Sequence, residues 1–225
     1  TANNTEPHKR LLEKLKHAME HVEGGMTHFI PQDVYLSKRI PLAGVRATAV
    51  QFRYLFAATE RGLEVIDVTH PDKPRVLPNA IPIKDARQVF VSRTYAYVAA
   101  GAEGLMIVDV ENPEKPKLYM QFNAGGKIND ANDVVVATTN ASLFAYVADG
   151  RNGLKVIQLT SPDSQPNFYG FSPPPKPEVI AWAKTPTPAL ALSKGLDRDR
   201  AVDETGGQIA IPVEEYAARI ANDCK

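Results

Sequence analysis

The sequence has no excess of charge of either sign and almost no cysteine. Lys plus Arg number 26 and Asp plus Glu number 26, so the 225 residues carry no formal net charge. Nucleic acids and anionic membranes select proteins with a local basic excess, and neither is therefore predicted as the main partner. The single cysteine, Cys224, excludes an intrachain disulfide.

Long apolar runs and enzyme motifs are also missing. No stretch approaches the roughly 18 unbroken apolar residues that a membrane-spanning helix requires. The sequence contains no phosphate-binding loop, no nucleophile elbow and no dinucleotide-binding glycine pattern. We therefore predict a globular chain that neither spans a membrane nor catalyses a reaction.

One pattern occurs three times along the chain. The stretch "GLEVIDVTHPDKP" begins at Gly62, "GLMIVDVENPEKP" at Gly104 and "GLKVIQLTSPDSQP" at Gly153. Each stretch is predicted to start with a strand, because its apolar residues share one face, and the strand ends where proline removes a backbone donor. The opening glycine closes a polar turn and can take a backbone conformation that side chains resist.

Each copy contains further predicted strands. First strands are predicted at 48–52, 88–92 and 133–137, and second strands at 54–58, 95–100 and 144–149. A last strand is predicted at 117–122 in the second copy and at 167–171 in the third. A unit of four antiparallel strands cannot bury both of its faces alone, so stacked units of the β-propeller kind are predicted.

The predicted fold is mainly β, a β-propeller-like array of four-stranded antiparallel blades with short N- and C-terminal helices. Residues 1–30 are predicted to form an N-terminal amphipathic helix and a linker, and residues 31–171 to form three blades. Residues 172–212 are interpreted as a Pro-rich segment followed by a candidate for a degenerate fourth blade. Residues 213–225 are predicted to form the C-terminal helix.

The three strand motifs resemble a known family. With the "YVA" strands before them and the Pro-containing turns after them, Leu63–Asp67 "LEVID", Leu105–Asp109 "LMIVD" and Leu154–Gln158 "LKVIQ" resemble the LVIVD repeat of bacterial and archaeal propeller-type proteins. In the third copy Gln158 replaces the aspartate of the motif. Some LVIVD-type proteins also carry multihaem cytochrome segments, so the resemblance implies a connection with haem proteins as an alternative.

Repetition without an enzyme motif predicts a non-catalytic scaffold that presents its loops to a protein partner or to a larger assembly. The chain is expected to be exported, in the periplasm or at the cell surface. The predicted partner-binding loops carry Arg61, Glu103, Arg151 and Asn152, which would cluster at one rim of the blades. Since three or four blades are few for a propeller, a protein partner or self-association is expected to close the ring.

The alternative function is that of a domain or subunit of a multihaem c-type cytochrome assembly. His17 and His21, four residues apart on the predicted helix, and His28 are candidate metal or haem ligands, or else lie on a solvated helix face. Cys224 would be a haem attachment point if the chain continued, or else is a free thiol. No cofactor is evident otherwise. Turn chemistry rather than calcium binding is predicted for residues 129–133, "NDAND", which lack the spacing of an EF-hand loop.

Overall fold

The computed structural model describes residues 39–139, 142–166, 172–193, 200–202 and 208–210. All of them lie in the second of the chain's two units, Lys38–Lys225. The predicted helices in 1–30 and 213–225 lie outside the described residues. Within the described ranges the structure has no helix that is long and apolar enough to cross a membrane.

Three four-stranded antiparallel sheets form the described structure, each in the strand order of the sequence. The first sheet contains β1 Ala47–Gln51, β2 Tyr54–Thr59, β3 Gly62–Asp67 and β4 Arg75–Val76. The second contains β5 Gln88–Ser92, β6 Tyr95–Ala99, β7 Leu105–Asp109 and β8 Lys117–Phe122. The third contains β9 Asp133–Thr139, β10 Ser142–Ala148, β11 Leu154–Thr160 and β12 Glu178–Ala183. The mainly β fold with four-stranded antiparallel units is confirmed.

The glycine at the start of each third strand behaves as predicted. Gly62, Gly104 and Gly153 have φ angles of 118°, 80° and 77°, in the region that side chains resist. A Cβ atom on Gly62 would meet the Ile81 carbonyl oxygen, and one on Gly104 would lie 2.6 Å from the Phe122 carbonyl oxygen. Glycine is therefore required both for the turn and for the close approach of neighbouring backbone.

Two hydrophobic cores join the three sheets. The first core lies between the first and second sheets and contains Phe56, Leu63, Val65, Val98, Met106 and Val108. The second lies between the second and third sheets and contains Tyr97, Leu105, Ile107, Val147, Ile157 and Leu159. Because successive residues of a strand point to opposite faces, the second sheet contributes alternate residues to each core. Both faces of its middle strands, β6 and β7, are buried.

The sheets are stacked in the manner of propeller blades. The first strands of the three sheets are neighbours, β1 next to β5 and β5 next to β9, so they form the inner edge of the array. The fourth strands β4, β8 and β12 lie at the opposite edge of their sheets. The three sheets do not close into a ring within the described part of the chain.

The fourth strand of the third sheet differs from the prediction. The sequence analysis placed it at 167–171, residues outside the described ranges, and assigned 172–212 to another region. In the structure Glu178–Ala183 pairs with β11, from Leu154↔Ala183 to Gln158↔Glu178. Both segments are rich in aromatic and apolar residues, and only the register with β11 distinguishes them.

Beyond β12 the described chain passes the end of the third sheet. Gly150 and Ala189 form an isolated bridge, and the Leu192 N–H donates to Asp133 Oδ2 at 2.6 Å. Two short strands, β13 Arg200–Val202 and β14 Gln208–Ala210, then form a separate two-stranded sheet. The fourth blade stays a prediction.

Candidate functional site

The inner strands of the three sheets begin at the same end of the array. Arg46, which precedes β1, donates to Asp85 and to the Ala86 carbonyl oxygen just before β5. Arg87, which precedes β5, donates to Asp130 just before β9. In an antiparallel sheet the turn between the second and third strands lies at the end where the first strand begins. The three turns at 60–61, 100–104 and 149–153 therefore lie on one face, here called the turn face.

The segments that connect the sheets hold these turns in place. Leu63 and Ile81 exchange two backbone hydrogen bonds of 2.9 Å, and the Lys84 N–H donates to Glu103 Oε2 at 3.3 Å. The segment 77–87 thus contacts the turns of both the first and the second sheet. Connecting segment 123–132 does the same for the second and third sheets, in the contacts described next.

Gly101 and Ala131 exchange two backbone hydrogen bonds of 2.9 Å, and Asn152 Nδ2 donates to Asn129 Oδ1 at 2.9 Å. The buried carboxylate of Asp149 accepts the N–H groups of Asn129 and of Asp130 at 3.1 and 2.8 Å. Each turn is therefore fixed to the backbone that leads into the next blade. Such fixing is what a preorganised binding surface requires.

Side chains of opposite charge contact one another at the end where the inner strands begin. Arg87 contacts Asp85 at 2.7 Å, Asp130 at 2.7 Å and Asn132 at 2.7 Å. The hydrogen bond from Arg87 lowers the pKa of Asp85 below its usual value of 3.8, against the opposing effect of burial. The same bond to Asp85 raises the pKa of Arg87. Asp85 and Arg87 therefore stay ionised, and the contacts of Arg87 with Asp130 and Asn132 link the second and third blades.

The four predicted partner-binding residues all lie on the turn face, although each has a different environment. Arg61 is exposed and pairs with the buried carboxylate of Glu64 at 3.2 Å. Glu103 is half-buried and accepts the Lys84 N–H described above. Arg151 is exposed, whereas Asn152 is half-buried and is held by Asn129. Arg151 and Asn152 are neighbours, and the other two residues lie on separate blades.

A groove of about 790 Å³ continues from the third turn between the second and third sheets. Arg151 and Asn152 line it together with Lys155 and Trp182. Lys155 Nζ lies 5.4 Å from the centroid of the Trp182 ring and donates to the Asn152 carbonyl oxygen at 3.1 Å. The Trp182 side chain is 62% exposed. An exposed tryptophan beside a cation that is held in place is an arrangement suited to binding.

The residues of "NDAND", 129–133, form hydrogen bonds that hold the turn face together. Asn129 and Asp130 hold the connection to Asp149, and Asn132 Nδ2 donates to the Asp130 carbonyl oxygen at 2.6 Å. Asp133 accepts the N–H of Val134 at 2.7 Å. In the described ranges no group of three or more His, Cys, Asp and Glu side chains could hold a metal ion. The candidate haem residues His17, His21, His28 and Cys224 lie outside those ranges, so the cytochrome alternative stays a prediction.

The aspartate that ends the motif in the first two copies lies at the other end of the sheets, where it caps the turn after the third strand. Asp67 Oδ1 accepts the N–H of Thr69 at 2.9 Å and its hydroxyl at 2.6 Å, which lowers the pKa of Asp67 to about 2. Asp109 accepts the N–H of Glu111 at 2.9 Å in the same way. In the third copy Gln158 takes the place of this aspartate. The turn there is capped by Ser161, whose hydroxyl accepts the N–H of Ser164, as Asn112 accepts that of Glu114 in the second copy. The aspartate is therefore a turn-forming residue.

Sequence reasoning missed three residues of this region. Arg46 and Arg87 occupy the same position of successive copies, directly before the inner strand, and this periodicity was the signal that could have found them. Trp182 was missed because its strand was assigned to another part of the fold. No sequence signal indicates that Trp182 faces Lys155.

Comparison with protein families gives a single finding on the repeats. The family model described as "LVIVD repeat" matches residues 83–124 and 130–171, which are two adjacent copies. The first match covers residues 83–87 of the connecting segment and the four strands of the second sheet. The second covers β9, β10 and β11 of the third sheet and ends before β12. A comparison with curated proteins found no match.

Proposed function

This chain carries two adjacent LVIVD repeats in β-propeller-like blades, and from this we propose that it is a non-catalytic binding module. Its turn face is the surface that a protein partner or a larger assembly contacts. The observation that carries the proposal is that successive blades bring three fixed turns to one face, with Arg61 and Arg151 exposed on them.

The chemistry of the described residues supports a binding role over a catalytic one. Catalytic sites combine a nucleophile or base with a cleft and a pKa that is shifted toward neutrality. Here the carboxylates with shifted pKa values, Asp67 and Asp85, are shifted downward by Thr69 and by Arg87. The pKa values of Tyr95 and Tyr97 are raised by burial, which keeps both phenols neutral. Each shift stabilises a structural state rather than a reactive one.

The proposal is tested by capture of partners from an extract of the source with the immobilised chain. A variant with Arg61→Ala, Glu103→Ala and Arg151→Ala removes two cations and one anion from the turn face. The matched control, Lys73→Ala with Glu111→Ala and Lys115→Ala, removes the same charges from exposed positions at the other end of the sheets. We expect the turn-face variant to lose a partner that the control retains. Retention by both variants would refute the proposal.

Arg61 requires a second variant, because its side chain pairs with the buried Glu64 and its removal also affects stability. The double variant Glu103→Ala with Arg151→Ala leaves that pair intact. We expect it to lose most of the same partner, with an unfolding temperature close to that of the wild type. Loss of capture only in variants that unfold early would count against a direct role of the turn face.

We also propose an exported location, in the periplasm or at the cell surface, where such a module would meet an external partner. Cell fractionation followed by detection of the chain tests this location. We expect the chain in the periplasmic or surface fraction, and its recovery with cytoplasmic proteins would refute the location without affecting the turn-face proposal.

A further inference from the structure

The outer strand β12 is an edge strand of the described structure, and its residues 179–183 carry no charge. Among the described strands β12 pairs only with β11, so the backbone N–H and C=O groups on its other side have no strand partner. The outer strand β4 has two residues and contains Arg75, and β8 begins with Lys117. Short length and charge both discourage pairing with another chain. β12 has six residues, "EVIAWA", and like β8 it carries a charge only at its first residue, Glu178.

The groove beside the third turn runs along this edge. Five successive residues of β12, from Glu178 to Trp182, line the groove. The register of β12 against β11 shifts at Ile180, and residues on both sides of this irregularity line the groove, so the groove follows the edge of the strand. Ile180 is 48% exposed and Trp182 is 62% exposed, so the edge also offers apolar surface.

The groove is rich in positive charge. Its lining includes four cations, Lys127, Arg151, Lys155 and Lys184. Of the described residues that line it, Glu178 is the only one with a carboxylate. In the described part of the chain no carboxylate forms an ion pair with any of the four cations. The chain as a whole is neutral, so this local excess distinguishes the groove from the rest of the molecule.

We propose that the groove binds an extended acidic segment of a partner protein, which adds to β12 as a fifth strand of the third sheet. The proposal rests on the proposed function and names the chemistry of the partner. Backbone hydrogen bonds to β12 would supply affinity. Alternate carboxylates of the segment would meet Lys127, Arg151 and Lys184, and its remaining side chains would contact Trp182 and Phe122. A segment with this pattern is complementary to the groove in charge and in period.

The tryptophan provides a direct reporter, because Trp182 is the only tryptophan of the chain. The probe is a synthetic peptide of alternating Glu and Val, about seven residues long so that it matches β12. One control peptide has Gln in place of Glu, and another retains Glu but has alternate amides methylated to remove backbone donors. We expect the Glu peptide to change the fluorescence of Trp182 saturably, and both controls to bind roughly tenfold more weakly or worse.

A matched pair of variants assigns the site. Lys127→Gln with Lys184→Gln removes two groove cations that have no ion pair in the described ranges. Lys73→Gln with Lys115→Gln removes two exposed lysines at the other end of the sheets. We expect the groove variant to bind the Glu peptide about tenfold more weakly, and the control variant to bind it like the wild type. Equal binding by the two variants would overturn the proposal.

Other outcomes exclude strand addition or name a different occupant. Tight binding of the methylated peptide would show a general anion site without backbone pairing. A Trp182 signal that changes with protein concentration alone would show a second copy at the edge. Absence of any peptide effect would equally overturn the proposal.

The outcomes for the groove and for the turn face can be told apart, because Lys127→Gln with Lys184→Gln leaves Arg61, Glu103 and Arg151 in place. If the peptide fails to bind while the turn-face variants still lose their captured partner, only the strand-addition proposal is refuted. If the turn-face variants retain the partner and the peptide fails as well, both proposals are refuted.

Discussion

Arg87 on the second blade donates a hydrogen bond of 2.7 Å to Asp130, 43 residues later in the chain and at the entrance to the third blade. The same guanidinium group contacts Asp85 and Asn132. One side chain therefore connects the beginnings of two inner strands. This contact orients the second and third blades at the turn face, where the proposed partner would bind.

Arg87→Ala is expected to lower the free energy of unfolding by about 1–2 kcal/mol, because hydrogen bonds to charged groups contribute about that much when partly exposed. Arg46→Ala is the matched control, since the Arg46 side chain is more exposed, at 45% against 30%. We expect Arg46→Ala to lower the free energy of unfolding by less than about 1 kcal/mol. Urea unfolding measures both, and an equal loss would contradict the role given to Arg87.

Gly104→Ala is expected to destabilise the second blade strongly. Its Cβ atom would lie 2.6 Å from the Phe122 carbonyl oxygen, and its φ angle of 80° adds strain. Gly125→Ala is the control, because Gly125 also has a positive φ, 66°, but a Cβ atom there would have no atom within 4 Å. We expect Gly125→Ala to lower the free energy of unfolding by about 1 kcal/mol, and Gly104→Ala to lower it by at least about 2 kcal/mol more. Thermal or urea unfolding that shows similar losses would contradict the close approach.

Tyr97→Phe is expected to leave the free energy of unfolding unchanged or to raise it by about 1 kcal/mol, since a buried hydroxyl without a hydrogen bond is costly. The Tyr97 side chain is fully buried, and among the described residues its hydroxyl has no hydrogen-bond partner. Phe56 occupies the same position in the first blade, so Phe56→Tyr is the reverse test and should destabilise. A loss of stability for Tyr97→Phe in urea unfolding would show that the hydroxyl is paired.

Much of the fold followed from the sequence. Alternating apolar residues and the glycines at 62, 104 and 153 are local signals, and they located the first three strands of each blade. The fourth strand of the third blade could not be located, because 167–171 and 178–183 have the same strand-forming composition. Their assignment depends on pairing with β11, which is a long-range contact.

The candidate site was predicted only in part. The turns that carry Arg61, Glu103 and Arg151 could be found because they repeat with the strands. The contact of Arg87 with Asp130 and that of Lys155 with Trp182 could not, because each depends on how separate strands come together. The sequence shows which residues are charged, but the stacking of the blades decides which charges meet.

The pKa of Asp67 offers a test of the turn that follows each third strand. Hydrogen bonds from Thr69 lower this pKa from 3.8 to about 2. A carboxylate with a lowered pKa in the folded state stabilises the fold above pH 4, and this contribution is lost as the pH falls from about 4 to about 2. We expect Thr69→Ala to raise the pKa toward 3.8 and to reduce the loss of stability in that interval. Carboxyl titration by NMR measures the shift, and an unchanged pKa would contradict the role of Thr69.

The central claim is that the turn face binds a protein partner, and the most direct test is the affinity of a purified captured partner for three forms of the chain. The forms are the wild type, the turn-face variant at Arg61, Glu103 and Arg151, and the control variant at the other end of the sheets. We expect the turn-face variant to bind at least about 30-fold more weakly and the control within about twofold of the wild type. Equal affinity for all three, or a larger loss in the control, would contradict the account.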